Sequence, residues 1–320
     1  MTPPRSPAPS RQAKAVTAFM RSTLRSLPRI SDALTISFAR RFFRAPPWVR
    51  AHFGAGLVRA HTDLGGVPCE SIAPPTPRRE GTVLYFHGGG YFCGSPLSYR
   101  HVTSTLARRI GCRVLIPDYH LAPEHPFPAA ADDALAAYQE LLAAGVRPER
   151  LVLVGDSAGG ALVLATMAAA RERGLPLPAC GVCLSPWSDL AGTGDSIHEN
   201  ADTDALFQPG DLPRFAAIYL AGAPATDPRA SPFYADLRGL PPLLVHVSGS
   251  ELLRDDGLRV AAKIEAAGGY CEVFIADGLP HVWHLLLGLV PEAHRDVDAV
   301  AVFAARHLGN GRPKDAPAAD

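Results

Sequence analysis

The sequence predicts an α/β protein with a mostly parallel central sheet and helices on both of its faces. Three observations lead there. From about residue 69 onward, short β-rich apolar runs alternate with longer stretches of helical period, the pattern of strands joined by crossover helices. One of those strand-to-helix junctions carries Gly155-Asp156-Ser157-Ala158-Gly159, a G-x-S-x-G turn between an apolar run and a helical one. With 47% hydrophobic and 19% charged residues, a chain of 320 residues has the means to bury a large core.

The elements follow in order. Residues 1–60 hold eleven Lys or Arg and a single acid, Asp32, so this segment is an electrostatic unit apart from the rest. Within it Val16, Phe19, Met20 and Leu24 fall at helical spacing, and Ser31 is placed to cap a second helix carrying Leu34, Phe38 and Phe42. Both helices are expected to pack on the protein that carries them, although a basic amphipathic start also suits a membrane surface. The expected strands are Gly81–Phe86, Cys112–Pro117, Leu151–Gly155, Ala179–Leu184, Leu243–Ser248 and Cys271–Ala276. Helices are expected near 97–110, 128–144, 158–173, 256–267 and 292–307. Between Trp187 and Leu240 no strand signal appears, and the Gly, Asp and Pro content points to a helical or loop insertion near the C-terminal ends of the strands.

Composition excludes several classes. Lys plus Arg and Asp plus Glu are both 31, so the chain lacks the positive excess that nucleic-acid binding needs. The nearly uncharged stretch from Ala158 to Ala170 is well short of the ~20 residues that span a bilayer, and no integral membrane association is expected. The six cysteines are too sparse for a disulfide scaffold and read as buried thiols. Cys180 and Cys183 form a C-x-x-C inside an apolar run that reads as a strand, and no second pair completes a metal site. Met1–Ser10 lacks the apolar core of a secretory signal, and a cytoplasmic location is expected.

The chemistry concentrates at two places. In the run Leu151–Gly160 the glycines two residues before and after Ser157 let a strand and a helix approach closely around a strained serine. The turn also sets Ser157 at a helix N-terminus, where free N–H groups and the dipole favour developing negative charge. The second place, His87-Gly88-Gly89-Gly90, follows a strand and leaves backbone N–H groups exposed. Such donors stabilise the tetrahedral oxyanion of acyl transfer, and Gly88, Gly89 and Ala158 are the candidates for an oxyanion hole.

Together the His-Gly-Gly-Gly and Gly-Asp-Ser-Ala-Gly motifs resemble those of the bacterial hormone-sensitive lipase family of esterases, within the α/β-hydrolase fold. The resemblance extends through Asp118–Ala130, close to that family's Tyr-Arg-Leu-Ala-Pro-Glu-His-Pro-Phe-Pro-Ala-Ala segment, and through Ser185-Pro186-Trp187, covering roughly residues 70–308. His120 stands where the family usually has arginine.

The resemblance implies a serine nucleophile, a histidine base and an acid in the chain order Ser, Asp or Glu, His. Aligned on Leu253-Arg254-Asp255, the family's triad acid falls on Glu251; Asp255 is the alternative, with a plain helix-start carboxylate as its simpler reading. The histidine falls on His281, with His284 a weaker candidate that lines the pocket or meets solvent. Of the other histidines, His87 and His125 are read as loop braces, and His61, His101, His198, His246, His294 and His307 have no motif around them.

The expected reaction is hydrolysis of short acyl esters, acetyl to hexanoyl, by Ser157, Glu251 and His281, with no metal and no cofactor. By the same resemblance, residues 1–60 and 188–240 form a cap over a catalytic core of 61–187 and 241–310, and 311–320 is a disordered tail. Tyr91, Phe92, Phe207, Phe215 and Tyr219 are candidates to line an apolar pocket, with plain core packing the commoner role for such residues. The partner is a small-molecule ester, with a homodimer left open. The same residues would serve a lactone hydrolase, an acetyl-hydrolase or an amidase. A non-catalytic receptor of the kind found among plant relatives would have lost the histidine that this chain keeps.

Overall fold

Strands that are apolar at nearly every position must be covered on both faces, and the sheet is built that way. The computed structural model describes residues 6–26, 31–42 and 55–309. Its strands are β1 (Val58–Leu64), β2 (Val67–Ala73), β3 (Thr82–Phe86), β4 (Arg113–Pro117), β5 (Leu151–Asp156), β6 (Cys180–Leu184), β7 (Leu243–Ser248) and β8 (Cys271–Ala276). They lie in the order β1-β2-β4-β3-β5-β6-β7-β8. Pairing is antiparallel for β1 with β2 and β2 with β4, and parallel from β4 to β8.

The helices are α1 (Arg11–Thr23), α2 (Asp32–Phe42), α3 (Pro96–Leu106), α4 (Ala129–Ala143), α5 (Ala158–Glu172), α6 (Ser196–Glu199), α7 (Asp211–Leu220), α8 (Arg254–Ala266) and α9 (Pro291–Gly309). Alternate strand residues feed two cores. Leu84, Phe86, Leu153 and Val245 pack with Tyr138 of α4, Leu164 of α5 and Ile264 of α8. On the other face Val83, Tyr85, Val152 and Leu244 pack with Val102 of α3 and Phe303 of α9. The same alternation disposes of the C-x-x-C: Cys180 belongs to one core and Cys183 to the other, because residues three apart on a strand point to opposite faces. All six thiols are free and buried.

Each expected strand is present within one residue of its expected ends. The β1–β2 hairpin, turning at Gly65-Gly66, was not expected. β1 is an edge strand exposed at every position but Leu64, so its sequence carries no core-facing alternation. The boundary at residue 60 is corrected accordingly, since the sheet already includes Val58–Ala60. Residues 1–5, 43–54 and the expected tail, 311–320, lie outside the described residues.

Both N-terminal helices form as their spacing predicts. The Ser10 hydroxyl caps α1 by accepting from the Ala13 N–H at 3.1 Å, and Ser31 caps α2 through the Leu34 N–H at 3.3 Å. Ser10 also fastens α1 to α9, its N–H donating to Glu292 at 2.6 Å. Arg40 holds α2 down, donating to the carbonyls of Phe92 and Ala122 and to the Glu124 carboxylate. Among the described residues, no helix is long and apolar enough to cross a membrane.

Candidate active site

Parallel strands deliver their C-terminal ends to one edge of the sheet, and the loops there bring together residues far apart in sequence. Ser157 follows β5 directly, with φ +52° and ψ −120°, a conformation that a non-glycine residue holds only when its surroundings impose it. The surroundings do so: its N–H donates to the Leu184 carbonyl at 2.8 Å, and its carbonyl accepts from the Trp187 N–H at 3.0 Å. The neighbouring glycines are a steric necessity. A Cβ on Gly155 would stand 2.2 Å from the Gly159 carbonyl oxygen, and one on Gly159 would stand 2.0 Å from that of Phe86.

His281 lies in the loop after β8, its Nε2 2.9 Å from the Ser157 hydroxyl oxygen. Its Nδ1 bonds to a Glu251 carboxylate oxygen. A carboxylate only accepts, so Nδ1 carries the proton and Nε2 is the lone-pair nitrogen facing the serine. Glu251, after β7, is 1% exposed. Its other oxygen accepts from the Ser185 hydroxyl at 2.9 Å and the Ser248 N–H at 2.6 Å. Burial alone would lower the His281 pKa, but the charge and hydrogen bond of Glu251, with Asp204 and Asp156 behind, outweigh it and hold the imidazole above its ordinary value of 6.5.

The insertion braces the acid. Asn200 donates to the carbonyls of Gly249 and Glu251, at 3.0 and 2.8 Å, and Asp204 accepts the Leu252 N–H at 2.7 Å. Asp255, the alternative acid, is turned away: it pairs with Arg254 at 2.8 Å and accepts the Ser196 N–H.

The glycine loop is set by a residue that sequence reasoning passed over. Asp156, fully buried, accepts from the Tyr85 hydroxyl at 2.8 Å, the Gly88 N–H at 3.0 Å and the Tyr99 hydroxyl at 3.0 Å. Burial raises its carboxyl pKa to about 6, against the opposing pull of those three donors. This corrects the expectation for Gly88: its N–H is committed to Asp156 and is not available to an oxyanion. Gly89 and Gly90, by contrast, line the cavity with Ser157, and no partner takes the N–H of Gly89, Gly90 or Ala158 among the described residues. The position of Gly88 is equally specific, since a Cβ there would meet an Asp156 carboxylate oxygen at 2.3 Å.

Further expectations resolve individually. His87 braces the loop as expected, 2.8 Å from the Gly88 carbonyl and stacked on Tyr119, and burial holds its pKa near 4. His120 pairs within its own segment, its Nδ1 2.8 Å from an Asp133 carboxylate oxygen. His284 neither lines the cavity nor meets solvent. It is buried with its Nε2 3.0 Å from His246 Nδ1, a pair that the absence of a motif around His246 could not reveal. Phe92, Phe207 and Phe215 line the cavity, whereas Tyr91 and Tyr219 stack on one another behind it, ring centroids 3.7 Å apart.

That cavity has a volume of about 910 Å³ and is walled by α1, α2, the glycine loop, residues 206–215 and residues 281–289, with Ser157 and His281 among the residues that line it. It has the size of a site for a drug-sized ligand.

Comparison with known proteins agrees with this geometry. A family model described as alpha/beta hydrolase fold matches residues 83–285. An acetyl-hydrolase of Streptomyces hygroscopicus is 43% identical over 249 residues, 78% of this chain and 83% of that one. The carboxylesterase/phospholipase LipF of Mycobacterium tuberculosis is 38% identical over 260 residues, 78% of this chain and 69% of its own length. The crystal structure of an esterase from the bacterial hormone-sensitive lipase family superposes with a TM-score of 0.87 at 40% identity, covering 95% of this chain and all of the other. The chain belongs to the α/β-hydrolase family, in its hormone-sensitive lipase group, and is a carboxylic ester hydrolase.

Proposed function

We propose that the protein is a serine carboxylesterase that hydrolyses short-chain acyl esters through Ser157, His281 and Glu251. The observation that carries this reading is the continuous hydrogen-bonded line from the Ser157 hydroxyl through His281 to Glu251. His281 Nε2 takes the hydroxyl proton as the Ser157 oxygen attacks the ester carbonyl carbon. The carbonyl π electrons move onto oxygen, and the N–H groups of Gly89, Gly90 and Ala158 receive the charge. Collapse of this intermediate breaks the bond to the alcohol oxygen, which takes the proton from His281. Water, deprotonated by the same nitrogen, then attacks the acyl-enzyme and releases the acid. The Glu251 carboxylate orients the ring and stabilises the imidazolium.

The helices α1 and α2 and residues 188–240 act as a cap, since α1, α2 and residues 206–215 contribute apolar side chains to the wall of the cavity that holds the nucleophile. The 43% identity to a protein named an acetyl-hydrolase favours acetyl as the acyl group.

The test is hydrolysis of p-nitrophenyl esters from acetate to palmitate by the wild type and by Ser157→Ala, His281→Ala, Glu251→Ala and Asp255→Ala. Activity should be greatest on acetate to hexanoate. It should fall by about 10³-fold or more in the first three variants and persist in Asp255→Ala. Full activity without Ser157 would overturn the reading, and activity on the matching anilides or lactones alone would replace the ester with an amide or a lactone.

A further inference from the structure

We propose that Asp204 and Asn200 are positioning residues of the catalytic centre, through which the insertion holds Glu251 against the edge of His281 and Phe207 against its ring. This rests on the Ser157–His281–Glu251 reading above and adds what keeps the imidazole in place.

The insertion grips the loop after β7 at four points. Asn200 donates to the carbonyls of Gly249 and Glu251, the Thr203 hydroxyl donates to that of Ser250 at 3.1 Å, and one Asp204 oxygen accepts the Leu252 N–H. Every residue from 249 to 252 is therefore bonded to the insertion, Glu251 among them. A shift of this backbone would carry the Glu251 carboxylate off His281 Nδ1.

The same aspartate fixes the other neighbour of the histidine. Its second oxygen accepts the N–H groups of Leu206 and Phe207, at 2.7 and 2.8 Å. The Phe207 carbonyl in turn accepts from Arg25 Nε at 3.1 Å, so that residue is held on both sides. Its ring stands edge-on to His281 with centroids 5.1 Å apart. One carboxylate, 1% exposed, thus ties down both groups that flank the imidazole. Leu206 and Phe207 line the cavity and Asn200 and Asp204 do not, so the pair acts through Glu251 and Phe207 and not on the substrate.

Charge adds to position. All three partners of Asp204 are N–H donors, which suit a carboxylate; burial raises its pKa, and those donors and His281 oppose the rise. Around His281 the titratable groups are Glu251 after β7, Asp204 of the insertion, Asp156 at the end of β5 and His284 of the turn that follows. The three acids raise the His281 pKa, and burial keeps His284 well below 6.5 and uncharged. An asparagine at 204 would remove one of these charges. It would also offer one acceptor oxygen where the carboxylate uses two, releasing either Leu252 or the Leu206–Phe207 turn.

The experiment measures kcat, KM and the pH dependence of kcat/KM on p-nitrophenyl acetate for the wild type, Asp204→Asn, Asn200→Ala and Asp202→Asn, with Ser157→Ala as the inactive control and thermal melts alongside. Above the limb set by His281, kcat should fall at least about tenfold in Asp204→Asn and about threefold in Asn200→Ala, with KM within about twofold of wild type. The acidic limb of kcat/KM should move to lower pH in both, by about half a unit or more in Asp204→Asn. Asp202→Asn removes an exposed carboxylate from the same segment and should change neither. A residue that served only the fold would lower the melting temperature and leave the limb in place. An unmoved limb with wild-type kcat in Asp204→Asn, or an equal shift in Asp202→Asn, overturns the inference, while loss of activity in Ser157→Ala keeps the esterase reading. Should Asp204→Asn not fold, Asn200→Ala decides by the same two readouts. Full activity without Ser157 removes both.

Discussion

Replacing Asp156 by asparagine separates the electrostatic cost of this residue from its structural service. The carboxyl pKa rises from 3.8 to about 6 on folding because burial disfavours the charged form. The folded state therefore holds the proton more tightly than the unfolded chain. The contribution of this group to stability is most favourable below about pH 4 and is lost as pH rises through about 6. The full loss is about 3 kcal/mol, of which roughly 2 kcal/mol falls between pH 4.5 and 7.5. An amide pays no such cost, and its oxygen still accepts from Tyr85 and Gly88 while its nitrogen faces Tyr99, whose hydroxyl rotates to accept. Urea unfolding of wild type and Asp156→Asn at the two pH values should show the variant gaining about 2 kcal/mol relative to wild type on going to pH 7.5. A difference constant within about 0.5 kcal/mol would refute the account of Asp156 as a carboxylate held against its own desolvation. Asp156→Ala supplies the contrast: it leaves the Gly88 N–H without an acceptor, and kcat should fall by about 10- to 100-fold as the glycine loop shifts.

Three further outcomes follow from the site. Gly88→Ala puts a Cβ 2.3 Å from an Asp156 oxygen, and should abolish soluble expression or lower kcat on p-nitrophenyl acetate by about 10²-fold or more; near wild-type kcat would contradict the packing. Ser185→Ala removes a donor from Glu251 and should cost about 1–3 kcal/mol in urea unfolding, with a several-fold loss of kcat; an unchanged protein would show the bond to be idle. His281 must be neutral to act as a base, and its pKa lies above 6.5, so kcat/KM should fall as pH drops through a value above 6.5. Glu251→Gln should move that limb downward, and a profile flat from pH 5 to 8 would exclude the histidine as base.

Much of this was readable in the chain, and the exceptions have physical causes. Buried parallel strands are continuous apolar runs, so β3–β8 could be read directly; Ser157 stands in a turn whose glycines are dictated by close backbone approach, and His281 was read from the resemblance. Glu251 was found through the resemblance, since aligning Leu253-Arg254-Asp255 on the family's motif puts the triad acid at that position. The edge strand β1 was missed because Val58–Asp63 face solvent and carry no alternation. Gly88 was misread because its partner, the Asp156 carboxylate, is 68 residues away and becomes its neighbour only when β3 and β5 pair. Tyr85 and Tyr99 look like any core aromatic until their hydroxyls are seen to end on that carboxylate. For the five candidate aromatics the two readings, pocket wall and core, stayed open for a related reason: composition marks a residue as apolar without saying whether it stands in front of the cavity wall or behind it, and Tyr91 and Tyr219 take the core reading.

The central claim is that Ser157 is the nucleophile and that His281 activates it. Intact-protein mass spectrometry after treatment with diethyl p-nitrophenyl phosphate tests it most directly. The account predicts one diethylphosphoryl adduct per chain, mapped to Ser157, absent in Ser157→Ala and formed far more slowly in His281→Ala. An adduct on another residue, or labelling of Ser157 at an undiminished rate without His281, would contradict it.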